Sequence, residues 1–256
     1  MSPSIWTRCG GRSNAREIRC EPWRVVESQR IASTRPLVDT DAEHEVLERL
    51  IDDAKPRFPS GTEILGLHYL LSSPFRYPPL ARGSRFGRRH EPSLWYGAEA
   101  LRTSLAEAAY YRLLFFEGTA AELAPHTMPM SAFQVRVRTR AAVDLLATAF
   151  APYVDRICSK ATYATSQPLG TEMRGSGITL VRFPSARDPD GKPNVGLFSP
   201  SAFASKRPLK TPETWLCTIT AAHDVEFRHE GIARIETVPF PRQRFLVKGV
   251  LPAPAT

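Results

Sequence analysis

Between Glu99 and Phe116 the chain offers a helix whose two sides are both largely apolar. At about 100° per residue, Leu101, Leu105, Ala109, Arg112 and Phe116 share one face, and Thr103, Glu107, Tyr110 and Leu114 share the opposite one. Such a helix has to be enclosed by other elements, which restricts the chain to folds that cover it on more than one side. Glu107 lies inside this apolar setting. An ionised carboxylate there is costly unless it is paired or used. A structural ion pair is the bland explanation. The residues placed just before it argue for chemistry instead.

Those residues come from two short elements. Arg85 sits in the turn Gly83-Ser84-Arg85-Phe86-Gly87, where the glycines permit a tight bend and close approach of backbone N–H groups to a ligand. Its guanidinium is a rigid fork of donors suited to a pyrophosphate or a ribose. Tyr96 follows in the aromatic strand Leu94-Trp95-Tyr96 and offers a flat face for a nicotinamide or adenine ring. Upstream, Arg76 and Tyr77 lie between Phe75 and the rigid Pro78-Pro79 pair, which fixes their direction. Downstream, Arg182 to Pro200 reads RFPSARDPDGKPNVGLFSP and holds Ser185 and Asn194. Ser185 has neither an adjacent histidine nor nucleophile-elbow glycines, so its role would be a hydrogen bond to substrate or to Glu107. Asn194 could contribute in the same way.

The rest of the chain supplies cover for the helix. With 256 residues, 42% of them hydrophobic, it can bury one sizeable core carrying an N-terminal extension. Residues 1–22 are Ser/Arg/Gly-rich and predict disorder; 23–64 predict an extension packed on the core, with a helix over Asp41 to Ala54 after a turn at 33–36. Residues 65–215 form the expected catalytic domain. Residues 65–71 and 94–96 read as strands, 133–137 as a strand, and 142–146 as a strand or short helix. Segments 177–183 and 195–198 read as a strand pair around the Asp188-Pro189-Asp190-Gly191 turn. Residues 216–256 add late strands and a Pro-rich tail expected to fray. Strands and helices mix without βαβ regularity, which predicts an α+β fold in one main domain.

Several function classes lose ground on composition. No apolar run reaches the roughly 18 residues of a membrane span. Met1 to Cys20 is polar and carries four arginines, with no signal core. A soluble, cytoplasmic protein is the expectation. The four cysteines (Cys9, Cys20, Cys158, Cys217) make no CxxC pair, and His223 and His229 match no ligand spacing, so no metal is expected. Net charge is +8, with arginine spread along the chain rather than gathered on one helix face. No zinc finger, helix-turn-helix or RNA-recognition signature accompanies it, which argues against direct nucleic-acid binding. A dispersed positive field still attracts a dinucleotide or an acidic protein.

The ordered set GSRFG, LWYGAEALRTSLAE and RFPSARDPDGKPNVGLFSP resembles the RES domain, a family named for an arginine, a glutamate and a serine in that order. Arg85, Glu107 and Ser185 match those positions, Tyr96 matches the tyrosine between the first two, and Arg76-Tyr77 resembles the upstream Arg-Tyr. The resemblance covers roughly residues 65–215. It implies a fold similar to ADP-ribosyltransferase toxins and an enzyme that degrades NAD+, by phosphorolysis with inorganic phosphate or by hydrolysis, with no other cofactor. It also implies a toxin–antitoxin pair whose small antitoxin, often carrying a helix-turn-helix, covers the active site. Two alternatives stay open: a protein ADP-ribosyltransferase using the same site, and a catalytically silent module that binds NAD or a partner.

Overall fold

Ten strands join into one mixed sheet. They are β1 (Arg16–Cys20), β2 (Trp23–Glu27), β3 (Trp95–Ala98), β4 (His126–Gln134), β5 (Val137–Asp144), β6 (Leu180–Phe183), β7 (Asn194–Leu197), β8 (Glu213–Ile219), β9 (Val225–Glu230) and β10 (Ile235–Phe240). Their order is β1-β5-β6-β7-β3-β2-β4-β8-β9-β10, antiparallel throughout except for the parallel β5–β6 pair. The computed structural model describes residues 3–28, 34, 37–58, 64, 66–120, 125–231 and 235–254. The architecture is α+β.

Alternation along the strands separates two apolar faces. On one, Trp95, Phe133, Val135, Leu180, Val195 and Leu197 pack with Leu70, Leu71 and Phe75 of helix α3 (Tyr69–Arg76). On the other, α4 (Leu101–Glu117) sets Leu105, Ala109, Tyr110, Leu113 and Phe116 against Met130, Trp215, Phe227, Phe240 and Phe245. Beside it, after the short α5 (Val154–Ile157), α6 (Ser166–Gly175) packs Leu169 and Met173 against Phe86, Val181 and Phe183. Glu107 therefore lies on the α4–α6 side. The register pairs Ala98 with Asn194 and Tyr96 with Gly196, so the pleat turns Tyr96 and Asn194 toward that same side.

The N-terminal segment differs from its expected disorder. Helix α1 (Ile5–Arg8) buries Trp6, whose Nε1 donates to Ser176 Oγ at 3.0 Å. Strand β1 pairs with β5, and Arg16 forms an ion pair with Asp144. These partners lie more than a hundred residues away, so local composition carries no trace of them. Strand β2, expected in an extension packed on the core, instead runs inside the sheet between β3 and β4. Helix α2 (Asp41–Ala54) forms as the periodicity predicts, with Val46 and Leu50 left exposed.

Two further segments depart from expectation. The stretch expected as a strand over 65–71 runs into α3, a helix whose first turn is capped by His68 Nδ1 accepting from Leu70 N at 3.3 Å. Residue 65 and most of the turn expected at 33–36 lie outside the described residues. The Pro-rich tail is docked through residue 254: Leu251, Pro252 and Pro254 are buried, and Tyr110 Oη donates to Pro252 O at 2.5 Å.

Candidate active site

The arginine turn is built by sterics and then locked from two sides. Gly83 has φ +66°, and a Cβ there would fall 2.3 Å from Gly87 O; only glycine fits without strain. Ser84 N donates to Gly87 O at 2.8 Å and closes the loop. From β3, Tyr96 Oη accepts from Phe86 N at 3.1 Å and bonds with Ser84 Oγ at 2.9 Å. From α6, Gln167 Nε2 donates to Arg82 O and Ser84 O at 2.9 and 3.1 Å. Arg85 is thereby held with 8% exposure, its Nη1 donating to Ile157 O and Ser159 O, both at 3.0 Å, and its guanidinium 5.2 Å from the Tyr163 ring centre.

Glu107 is fixed by the loop after β6 and by the first residue of β7. Ser185 Oγ donates to its Oε1 at 2.7 Å and Asn194 Nδ2 to the same oxygen at 2.6 Å. Among the described residues no donor is directed at Oε2. Ser185 is positioned in turn, its Oγ accepting from Arg187 N at 3.1 Å and Asp188 N at 3.0 Å. Asp188 accepts from Thr103 Oγ1 at 2.9 Å and pairs with Arg244. Thr103 stands one helical turn before Glu107, so this loop and α4 are tied at two successive levels. Gly191 belongs to the same fit, because a Cβ there would meet Asp188 Oδ2 at 2.0 Å.

These parts surround a cavity of about 800 Å³. Tyr77, Arg85, Tyr96, Glu107 and Asn194 all line it. Ser185 does not; it touches the cavity only through Glu107, from behind. Arg76 is not brought in. Its Nε donates to Pro56 O at 2.6 Å and its guanidinium lies 5.2 Å from the Phe58 ring centre, which turns it away.

Several lining groups have no local signature in the sequence. Arg24 of β2 lies over Trp95 at 5.3 Å and donates to Tyr96 O at 2.7 Å; the N-terminal extension thus supplies part of the wall. Tyr111 and Tyr163 meet hydroxyl to hydroxyl at 3.3 Å. Arg187, which the quoted motif contains beside Ser185, is 1% exposed and also lines the cavity. Five arginines (Arg24, Arg82, Arg85, Arg112, Arg187) face two carboxylates (Glu27, Glu107) around the wall, a balance that favours an anionic ligand. Enclosure also holds Tyr96 protonated: burial pushes its phenol up to about 12, against the opposing pull of its bonds to Ser84 and Phe86.

Comparison with known proteins adds the lineage. No curated protein matches the sequence. Among solved structures, the crystal structure of the M. tuberculosis MbcT–MbcA toxin–antitoxin complex is similar at a TM-score of 0.46 and 12% identity, over 86% of this chain and 93% of that one. The family model of the RES domain matches residues 62–220, a span that contains Arg85, Glu107 and Ser185. The chain belongs to the RES domain family.

Proposed function

We propose that the cavity cleaves NAD+ at the bond between nicotinamide and ribose, passing the ADP-ribosyl group to inorganic phosphate or to water. The observation that carries this reading is Glu107 at the cavity wall, with both neutral donors on Oε1 and Oε2 left to a substrate. The scissile bond breaks with its electron pair moving to the pyridinium nitrogen, so nicotinamide leaves neutral and needs no proton. Positive charge then develops on the ribose ring, where a fixed carboxylate stabilises it electrostatically. A phosphate or water oxygen forms the new bond at the same carbon; attacking water loses its proton. Arg85 would hold a phosphate group, Tyr96 and Tyr77 would face the aromatic rings, and Asn194 and Ser185 would position Glu107. Arg76, turned toward Pro56, has no part in this scheme.

The same reading makes the protein the toxin of a toxin–antitoxin pair. Support comes from the mouth of the cavity, where Tyr77, Leu80 and Tyr111 are 43%, 74% and 46% exposed. An apolar rim of this kind suits a small protein that sits over the opening.

Product analysis with NAD+ labelled in its adenylate half tests the acceptor. Phosphate-dependent formation of a phosphorylated ADP-ribose is the expected result. ADP-ribose alone would assign water, and label on protein would assign the transferase alternative. Bound but uncleaved NAD+ under every condition would overturn the enzymatic reading.

A further inference from the structure

Arg187 is among the largest fully buried side chains of the protein, and its charge has no carboxylate partner among the described residues. The guanidinium carbon lies 3.4 Å from the Tyr110 ring centre, and Nη2 donates to Lys160 O at 3.1 Å. Nη1 is buried with no hydrogen-bond partner. A ring face attracts the cation but leaves that N–H unanswered, and a buried unanswered donor on a charged group is costly. Nearby cations make the need for an anion greater. Lys160 has its ammonium pushed down by burial, then by the charges of Arg187 and Arg244. Asp188, the acidic neighbour, is taken by Arg244 and Thr103.

Arg187 is also juxtaposed with Arg85. Arg85 Nη1 holds Ser159 O while Arg187 Nη2 holds Lys160 O, so two guanidinium groups hang from consecutive carbonyls of one loop. Each lies on a tyrosine, Tyr163 and Tyr110 respectively, and both line the same cavity. Two rigid forks held by one loop in the wall of one cavity are the chemistry of an oxyanion site, with bonds stronger than neutral ones.

We propose that Arg187, paired with Arg85, forms a phosphate-binding subsite of the cavity. It deepens the NAD+ reading and rests on it only for the choice between two sources of phosphate: the ligand's own diphosphate, or free inorganic phosphate as acceptor. In either case the oxyanion accepts from the Arg187 guanidinium and supplies the counter-charge that the protein lacks there.

Calorimetric titration with inorganic phosphate and with ADP-ribose tests this on the full chain, comparing wild type with Arg187→Gln and Arg187→Lys. The proposal expects Arg187→Gln to weaken the phosphate-bearing ligand at least about tenfold, and Arg187→Lys to recover part of the loss. Inorganic phosphate that still binds when ADP-ribose saturates the protein assigns the free ion; competition between the two assigns the diphosphate. Equal binding by wild type and Arg187→Gln, or no binding of either probe to wild type, overturns it. Should Arg187→Gln fail to fold, wild-type crystals soaked in tungstate give the answer: an oxyanion within hydrogen-bond distance of Nη1 supports the site, and water alone there refutes it. None of these readouts needs turnover. Phosphate binding at Arg187 without NAD+ cleavage would leave the subsite and remove the NAD+ reading. Cleavage with unchanged KM and unchanged phosphate dependence in Arg187→Gln would do the reverse.

Discussion

Glu107 depends on two neutral donors, and they differ in how directly they matter. Asn194 lines the cavity and sits on β7, whereas Ser185 is behind the carboxylate and is itself held by two backbone N–H groups. Asn194→Ala removes one bond to a charged group, about 1.5–3 kcal/mol, so kcat should fall roughly tenfold to a hundredfold with a smaller change in KM. Steady-state nicotinamide release measures it; a change confined to KM would mean that Asn194 binds substrate rather than holding Glu107. A second residue-level prediction concerns alkali. Burial pushes the Tyr110 phenol up to about 12, above the roughly 10 of an unfolded tyrosine. The neutral form is the one the fold protects, so its contribution is whole below about pH 10 and lost as pH rises through about 12. The melting temperature should therefore drop over that window, and Tyr110→Phe should show a shallower drop. Parallel curves for the two proteins would remove Tyr110 from the alkaline transition. Arg85, Tyr96 and Glu107 were legible as cavity-lining candidates because turn glycines, a short aromatic strand and helical spacing are local signals. Arg76 was misdirected because its partners, Pro56 and Phe58, lie some twenty residues back. Arg187 and Tyr163 gave no separate signal, since only the folded loop brings them to the wall.

Among the elements, the arginine turn tolerates little change. Gly83→Ala would force a left-handed φ and a contact with Gly87 O together, costing about 1–3 kcal/mol for the backbone alone. A melting temperature several degrees lower is the expected outcome, with Arg85 displaced and activity reduced; an unchanged melting curve would mean the turn can re-form without its left-handed residue. Helix α4 was readable because apolar residues recur at helical spacing on two of its sides, although Arg102, Tyr111 and Phe115 stay exposed, and α2 because its stripe repeats regularly. The paired strands β6 and β7 were readable from their turn. Helix α3 was not: Leu70, Leu71 and Phe75 form a helical stripe too short to separate from a strand, and the Pro78-Pro79 pair just beyond it suggested extension instead.

At the scale of the whole molecule, the family match covers 62–220, but the sheet does not stop there. Strands β1, β2, β9 and β10 lie outside that span, and β2 separates β3 from β4 near the middle of the sheet. Removing residues 1–22 would strip β1 from β5, uncover the Trp6 pocket and break the Arg16–Asp144 pair. Such a truncation should be poorly soluble or melt markedly lower; a truncated protein as stable as the full chain would mean that the N-terminal segment is ornamental. The central claim concerns one carboxylate in one cavity, and nicotinamide release from NAD+ by purified wild type and Glu107→Ala tests it most directly. The account predicts release by wild type, and its loss in a Glu107→Ala protein whose circular dichroism and melting curve match wild type. Release by Glu107→Ala at the wild-type rate would contradict it.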